Sequence, residues 1–311
     1  MNERMKVLIA YDGSDNAQLV LTELRRAGLP DTAEAVVLSV ADVEMPTVPD
    51  YAVSMTSAND RLNTVLRARE QAFYDVVLRE RNKAFLAVSD ARQLALQASE
   101  QIKAAFPAWR VSAEAYADSP ASAIIKKAGD WGADLILVGR QGRSGLEDGA
   151  QGSVSRKVAD KANCSVRVVG IHSLESIAPV RLLVGLDGSP FAEKAARTIA
   201  NRVWPLNSEV RLVTATKPFG LYGAAPYEQY NHAAEMQQHV ETILLESGLK
   251  VSSVIKQGEA KRVLVAEAQA WDADCIFVGS RGLHSAVMRF FLGSVSTAVV
   301  ANACCSVEVV R

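Results

Sequence analysis

The stretch WGADLILVGRQG (Trp131–Gly142) recurs as WDADCIFVGSRG (Trp271–Gly282), and this repeat decides the fold. In each copy a short apolar run ends in glycine, which is typical of a buried strand that leads into a loop. Two further pairs of blocks match in the same order: VLIAYDGS (7–14) with LLVGLDGS (182–189), and GSVSRKVADKANCSVRVV (152–169) with GSVSTAVVANACCSVEVV (293–310). Three matched pairs indicate an internal duplication.

The duplication divides the chain into two halves. A length of 311 residues is comfortable for two domains. We predict a first half over residues 1–171 and a second half over residues 179–311, with the polar connector Ile171–Pro179 between them. Because so short a connector prevents free tumbling, we expect the halves to pack together.

Strands and helices alternate along each half, which predicts a parallel sheet covered on both faces. In the second half, Ser189 is expected to cap a helix that starts at Pro190. The strands predicted there are Arg181–Leu186, Val210–Ala215, Lys250–Lys256, Cys275–Val278 and Val307–Val310. Further helices are predicted near Glu228–Ser247, Ala260–Ala270 and Ser294–Ala301.

The first half carries a 35-residue excess between its second and third strands, an insertion near residues 45–85. Met45–Asp60 has the composition of a loop. Arg61–Phe106 contains neither glycine nor proline and is expected to form one long helix, or two with a break at Ser89–Asp90. We favour a lengthened helix that covers its own sheet over a lid or a partner-docking arm.

The composition argues against nucleic-acid-binding, membrane and disulfide-rich proteins. With 49% hydrophobic and 22% charged residues and a net charge of −1, the chain shows no basic excess that would indicate nucleic acid. It has no apolar stretch of membrane-spanning length and a charged start, so we expect a cytoplasmic protein without a membrane partner. The four cysteines lack metal-ligand or disulfide spacing and are expected to be reduced, packed thiols.

Four features together resemble the universal stress protein family in its tandem form. They are the Asp after each first strand, SPASAIIKKAGDWGADLILVG (119–139), a glycine motif and a closing apolar strand. The family motif is G-x2-G-x9-G followed by Ser or Thr, and Gly139, Gly142, Gly152 and Ser153 match it in full. The second copy has ten residues between Gly282 and Gly293, one more than the pattern.

This resemblance implies an α/β fold of two tandem five-stranded parallel-sheet sandwiches, Rossmann-like and similar to the adenine nucleotide alpha hydrolases. Some members of the family bind ATP. The resemblance implies that Asp12 and Asp187 contact the adenine side, that the main chain at Val40 and Ala215 holds the base, and that the glycine loops hold phosphates. The candidate nucleotide-binding residues are Asp12, Val40, Gly139, Arg140, Gly142, Gly152, Ser153, Val154, Asp187, Ala215, Gly279, Arg281, Gly282, Gly293, Ser294 and Val295.

The chemistry of these residues agrees with a phosphate site, but the two halves differ. Glycines let the backbone approach closely, and helix N-termini present N–H groups to anions. The first loop carries Glu147 and Asp148, which repel a triphosphate unless a divalent cation such as Mg²⁺ lies between them. The second loop carries Arg281, His284 and Arg289 without an acid. Geometry favours the first site and charge favours the second.

The sequence therefore predicts a stress-response protein that binds ATP or a related adenine nucleotide, as a regulatory or sensing module. No GxxxxGK[ST] or GxSxG motif is present, so no catalytic residue and no resident metal are predicted. Two alternatives stay open: an interaction module that needs no nucleotide, with Asp12 and Asp187 acting as turn formers, and a slow ATPase.

The last strand of each half, SVRVV (165–169) and SVEVV (306–310), lies at a sheet edge in this family. An exposed edge of this kind is an aggregation hazard, so we expect the two strands to pair antiparallel across an internal pseudo-twofold axis. Arg167 would then face Glu308. A homodimer would need another surface, for which the insertion is a candidate.

Overall fold

The computed structural model of the chain describes residues 4–46, 62–140, 152–170, 179–216, 226–282 and 292–311. The strands are β1 (Met5–Ala10), β2 (Ala33–Ala41), β3 (Arg110–Ala117), β4 (Leu135–Gly139), β5 (Ser165–Val169), β6 (Arg181–Leu186), β7 (Glu209–Thr216), β8 (Lys250–Gln257), β9 (Cys275–Gly279) and β10 (Ser306–Val310). The helices are α1 (Asp15–Glu23), α2 (Leu62–Ala105), α3 (Pro120–Trp131), α4 (Ser153–Lys161), α5 (Pro190–Ala200), α6 (Pro226–Leu245), α7 (Ala260–Ala270) and α8 (Ser294–Asn302).

The described strands form one continuous sheet in the order β3-β2-β1-β4-β5-β10-β9-β6-β7-β8. Within each half the five strands are parallel, which confirms the predicted α/β fold. In both halves the chain reverses its direction of growth across the sheet between the first and fourth strands, at β1/β4 and β6/β9. Such a switch point leaves a crevice beyond the carboxyl ends of the strands.

The helices cover the two faces of the sheet differently. On one face, buried residues from α3, α4, α7 and α8 belong to a single hydrophobic core that runs through both halves. On the other face, α1 and α2 cover a core of the first half, while α5 and α6 cover a separate core of the second. The local signals are as predicted, since the Ser189 side chain accepts a hydrogen bond from the Ala192 amide at the start of α5.

The inserted helix α2 is a single element of 44 residues, about 66 Å long. The alternative of two helices with a break at Ser89–Asp90 is wrong. Ala84 is buried before the Ser-Asp pair and Ala91, Ala95 and Ile102 are buried after it, so one face of the helix is buried on both sides of the pair. Packing therefore outweighs the local capping signal. The predicted loop over Met45–Asp60 lies mostly outside the described residues.

The junction between the halves is the pairing of β5 with β10. These strands are antiparallel, and Arg167 stands directly opposite Glu308, with Val168 opposite Val307. Both predictions for the terminal strands are thus confirmed. Since β5 and β10 run in opposite directions, the carboxyl ends of the first-half strands lie at one edge of the molecule and those of the second half at the other.

The two charges at the centre of the junction are fully buried. Arg167 donates to Glu308 at 3.2 Å and to Glu23, at the end of α1, at 2.9 Å. Glu308 also accepts from Arg202 at 2.7 Å. Burial lowers the pKa of Arg167, but the neighbouring Cys275, Glu23 and Glu308 outweigh it, so the pKa is raised and the cation persists. Two cations and two carboxylates therefore form a neutral set.

Two arginines cross the junction in a reciprocal manner. Arg140, just after β4, donates to the main-chain carbonyls of Ala303 and Cys305, at the carboxyl end of α8. Arg311, just after β10, donates to Ala159 and to Asp160, near the carboxyl end of α4. Cations suit the carboxyl ends of helices, so each half caps a helix of the other.

All four cysteines are free thiols. Cys275 and Cys305 are buried, and burial raises the pKa of both, that of Cys305 to about 12. Such thiols behave as small apolar groups. Within the described ranges no cluster of His, Cys, Asp or Glu is arranged to hold a metal ion. None of the described helices combines the length and the apolar composition that a membrane span requires.

We expect Arg167→Met to lower the free energy of unfolding by about 3–5 kcal/mol, because it leaves the buried Glu23 carboxylate without its cation. Urea denaturation measures the change. The matched control is Arg197→Met, which removes an exposed pair with Glu193 on α5 and should cost less than about 0.5 kcal/mol. Adding Glu23→Gln to Arg167→Met should recover part of the loss. Equal losses for Arg167→Met and the control would contradict the importance of the buried set.

Candidate functional site

A cavity of about 990 Å³ lies at the switch point of the first half, beyond the carboxyl ends of β1, β2 and β4. It is lined by α1, α2, α3 and α4 as well as by the strand ends. The structure brings seven of the predicted residues together around it: Asp12, Val40, Gly139, Arg140, Gly152, Ser153 and Val154. Gly142, Glu147 and Asp148 lie outside the described residues.

A second cavity of about 660 Å³ lies at the equivalent place in the second half. It is lined by all eight residues predicted there: Asp187, Ala215, Gly279, Arg281, Gly282, Gly293, Ser294 and Val295. His284 and Arg289 of the same loop lie outside the described residues. The sequence repeat thus corresponds to two cavities, one for each half, and the part played by each residue in binding stays a prediction.

The helix that begins at each cavity has a glycine as its N-cap, so its cap residue has no side chain to bond the first amides. The caps of α4 and α8 are Gly152 and Gly293, and neither helix has a side-chain cap hydrogen bond. The first amides of these nine-residue helices therefore carry partial positive charge toward the cavity. Ser153 and Ser294 stand at the first helical position, where a hydroxyl can add a further donor.

Two serines that sequence reasoning missed hold these helix starts in place. Ser155 donates through Oγ to the Arg140 carbonyl at 2.7 Å, and Ser296 donates to the Gly279 carbonyl at 2.7 Å. Each bond ties the first turn of the helix to the end of the preceding strand. A signal was present, because GSVS occurs in both halves at this point.

Different physical constraints explain why glycine occurs at each position of the motif. A Cβ at Gly139 would lie 2.9 Å from the Asn16 carbonyl oxygen, and one at Gly279 would lie 2.7 Å from the main chain of Phe191. These two glycines let α1 and α5 approach the sheet. A Cβ at Gly282 would lie 2.6 Å from Asp187, whereas one at Gly293 would meet only ordinary contacts from 3.5 Å outward. A small side chain at Gly293 would therefore be accommodated, and Gly293 lines the second cavity.

The predicted aspartates form local turns and also line the cavities. Asp12 accepts from the Ser14 amide at 3.0 Å, and Asp187 accepts from the Ser189 amide at 3.0 Å, as in an Asx turn. The hydroxyl of Ser14 also donates to Asp12, at 2.6 Å. The turn role that the sequence left open is therefore present in both halves, and it directs each carboxylate to the end of the first strand.

The two predicted arginines differ in position. The guanidinium of Arg140 is buried in the junction between the halves, and this burial lowers its pKa. The main-chain carbonyl of Arg140 instead accepts the hydrogen bond from Ser155 in the first turn of α4. Arg281 instead lies over the Phe191 ring at 5.5 Å and borders the second cavity. No local pattern in the sequence indicates this difference, since the partners of Arg140 are more than 160 residues away.

Comparison with known proteins agrees with this architecture. The model of the universal stress protein family matches residues 3–170 and again residues 180–311. The chain belongs to the universal stress protein family. It is similar to a universal stress protein of Mycobacterium tuberculosis, with 28% identity over 238 residues, 71% of this chain and 77% of that one. It is also similar to a universal stress protein A homolog of Coxiella burnetii, with 36% identity over 135 residues, 39% of this chain and 84% of the homolog.

Among solved structures, a universal stress protein from Archaeoglobus fulgidus has a TM-score of 0.63 and 18% identity, over 98% of both chains. At this identity the likeness shows the fold, which is that of a tandem universal stress protein. The chain is therefore a two-copy member of the family, and helix α2 of its first copy has 44 residues against 20 in α6 of its second.

We expect Gly139→Ala to lower the free energy of unfolding by about 1–3 kcal/mol, because the added Cβ meets main-chain atoms that cannot move without shifting α1. Gly129→Ala is the control: nothing lies within 4 Å of its Cβ, and it is inside α3. It should stabilise by about 0.5–1 kcal/mol. Thermal and urea unfolding of both variants measure the difference. A harmless Gly139→Ala would contradict the packing role.

Proposed function

We propose that the chain binds ATP or a related adenine nucleotide in at least one of its two cavities. The observation that carries this proposal is the uncapped N-terminus of α4 and of α8, each at a switch-point cavity. Such a terminus is a ready anion site, since free amides and the helix dipole both favour negative charge. Membership of the universal stress protein family supports the proposal.

In this proposal the phosphates lie against the helix starts and the base lies at the ends of the first two strands. Gly293 lines the second cavity, so a phosphate there would lie near the α8 amides. Val40 and Ala215, at the ends of β2 and β7, are partly buried against the shared core and offer an apolar surface for a base. Asp12 lines the first cavity and Asp187 lines the second, each between the proposed phosphate position and the proposed base position.

The two cavities differ in charge, and we expect them to differ in their need for Mg²⁺. The described lining of the first includes Asp12, Asp42 and Asp90, with Arg156 as a cation that borders the cavity. The second has Asp187 and Glu259 together with Arg281. A polyphosphate near several carboxylates is bound more easily with a divalent cation, so affinity at the first cavity should depend on magnesium more strongly.

We also propose a regulatory or sensing role in the cytoplasm, with hydrolysis slow at most. No histidine, cysteine or lysine is among the described residues that line either cavity, and these are common bases and nucleophiles. One set of observations favours the alternative of an interaction module that needs no nucleotide. The close contacts at Gly279 and Gly282, and the Asx turns, account for those residues without a ligand.

Calorimetry separates these functions. We expect heat on titration with ATP, ADP or AMP, with and without magnesium, and adenine nucleotide in the supernatant when the purified protein is denatured. Absence of both signals would contradict nucleotide binding and favour the interaction module. Release of inorganic phosphate on a scale of many turnovers per minute would instead favour an enzyme.

We expect Gly152→Val and Gly293→Val each to remove binding in their own half and to leave the other half intact. A branched side chain at the helix cap fills the space that a phosphate needs. Calorimetric stoichiometry measures the loss, and it also shows which half binds more tightly. Gly129→Val, at an open helix position away from both cavities, is the control. If neither cap variant changes binding, the glycine loops do not hold the phosphates.

A further inference from the structure

The inserted helix α2 contributes a wall to the first cavity. Its lining residues are Ala87, Asp90, Ala91, Gln93, Leu94 and Gln97. The helix α6, which connects the second and third strands of the second half, contributes none of the described residues that line the second cavity. Equivalent strand ends and helix starts therefore line the two cavities. Only the first cavity is also lined by described residues of the long helix between the second and third strands, which is α2.

The wall is continuous because of helical periodicity. Asp90, Leu94 and Gln97 are spaced by three and four residues, so they lie one above another on a single helix face. The neighbouring face buries Ala95 and Ile102 in the core, which fixes the rotation of α2 about its axis. The polar side chains are exposed at the cavity rim and can meet a ligand.

A chain of hydrogen bonds joins α2 to the segment after β1, which contains Tyr11 and Asp12. The Tyr11 hydroxyl donates to Gln18 at 3.0 Å, and the Gln18 amide donates to Gln101 of α2 at 2.9 Å. In the repeat, the positions of Tyr11 and Gln18 are occupied by Leu186 and Glu193. Glu193 pairs with Arg197 of its own helix and lies 4.0 Å from His239 of α6, but Leu186 has no hydroxyl that could join it to the first strand. This link from the first strand to the following long helix is thus a feature of the first half.

The charges of the wall decide what it can accept. Asp90 presents a carboxylate, which accepts hydrogen bonds, and Gln93 and Gln97 present amides, which donate and accept. Without a divalent cation, a phosphate is unfavourable beside Asp90, Asp42 and Asp12. The partner that suits this surface is an uncharged ring edge that carries an amino group.

We propose that α2 binds the edge of the nucleobase in the first cavity, and that Asp90 makes this cavity selective for bases with an exocyclic amino group. The inference rests on the proposed nucleotide binding. An adenine amino group donates to the carboxylate, whereas a base with a carbonyl oxygen at that position is repelled by it. The first cavity therefore discriminates between bases by side chains that the second cavity lacks.

The test compares ATP with inosine triphosphate, which carries an oxygen in place of the amino group. Calorimetry is done on the full chain with Gly293→Val, so that the second cavity is closed. We expect the ratio of the two dissociation constants to fall about tenfold in Asp90→Ala, as when one charged hydrogen bond is lost. Because both ligands carry the same triphosphate, the ratio reports the base alone.

Glu100→Ala is the matched control. Glu100 is an exposed carboxylate of the same helix that pairs with Lys103, so its loss changes the net charge equally without touching the cavity lining. The ratio should stay that of the parent. Nucleotide binding with the same ratio in parent, Asp90→Ala and control overturns this inference alone. No binding of any nucleotide by the unsubstituted chain overturns the proposed function, and this inference with it.

Discussion

The structure depends on two buried strands, β5 and β10, that meet with opposite charges at their centre. Without this pairing, each half would expose an edge of unsatisfied amides and carbonyls beside apolar valines. The Arg167–Glu308 contact alone is costly to desolvate. Glu23 and Arg202 complete the set of four buried charges. The guanidinium of Arg167 also lies 5.7 Å from the centre of the Phe277 ring, and that of Arg202 lies 5.6 Å from it. The set specifies the register of the junction, because a slip by one residue would leave a buried charge alone.

The glycine motif combines two physical requirements within a few residues. Gly139 and Gly279 stand where a helix main chain touches the strand end, so packing suffices to explain them. Gly152 and Gly293 stand where a helix starts without a side-chain cap, and there the free amides explain the residue type. Packing therefore explains the first glycine of the motif, whereas the role of the last glycine belongs to the proposed nucleotide binding. This is why the fold can be shown by family membership while the ligand requires a binding experiment.

The alternation of apolar runs and helical segments predicted the strands and their parallel order within each half. The Arg167–Glu308 contact was predicted from the family resemblance, which places the last strand of each copy at a sheet edge, and from the matched positions of the two residues in the repeat. Three features depended on contacts that no local pattern contains. The Ser89–Asp90 pair stays helical because the helix has buried residues both before it, at Ala84, and after it, at Ala91. The side chain of Arg140 points away from the glycine loop and donates to a main-chain carbonyl of the other half. The residues of α2 border the first cavity because the helix packs along β2 and β3.

The central contact of the junction also has a consequence for how such a chain can arise. Arg167 and Glu308 occupy equivalent positions in the two copies, and they face each other at the pseudo-twofold axis. In a symmetric dimer of identical subunits, the residue at this position would face itself, so a charge there would be repelled by its own copy. When the two copies lie on one chain, each can mutate independently, so one copy can carry a cation at this position and the other a carboxylate. The buried pair is thus a trace of duplication and fusion, and it makes each half specific for the other over a second copy of itself.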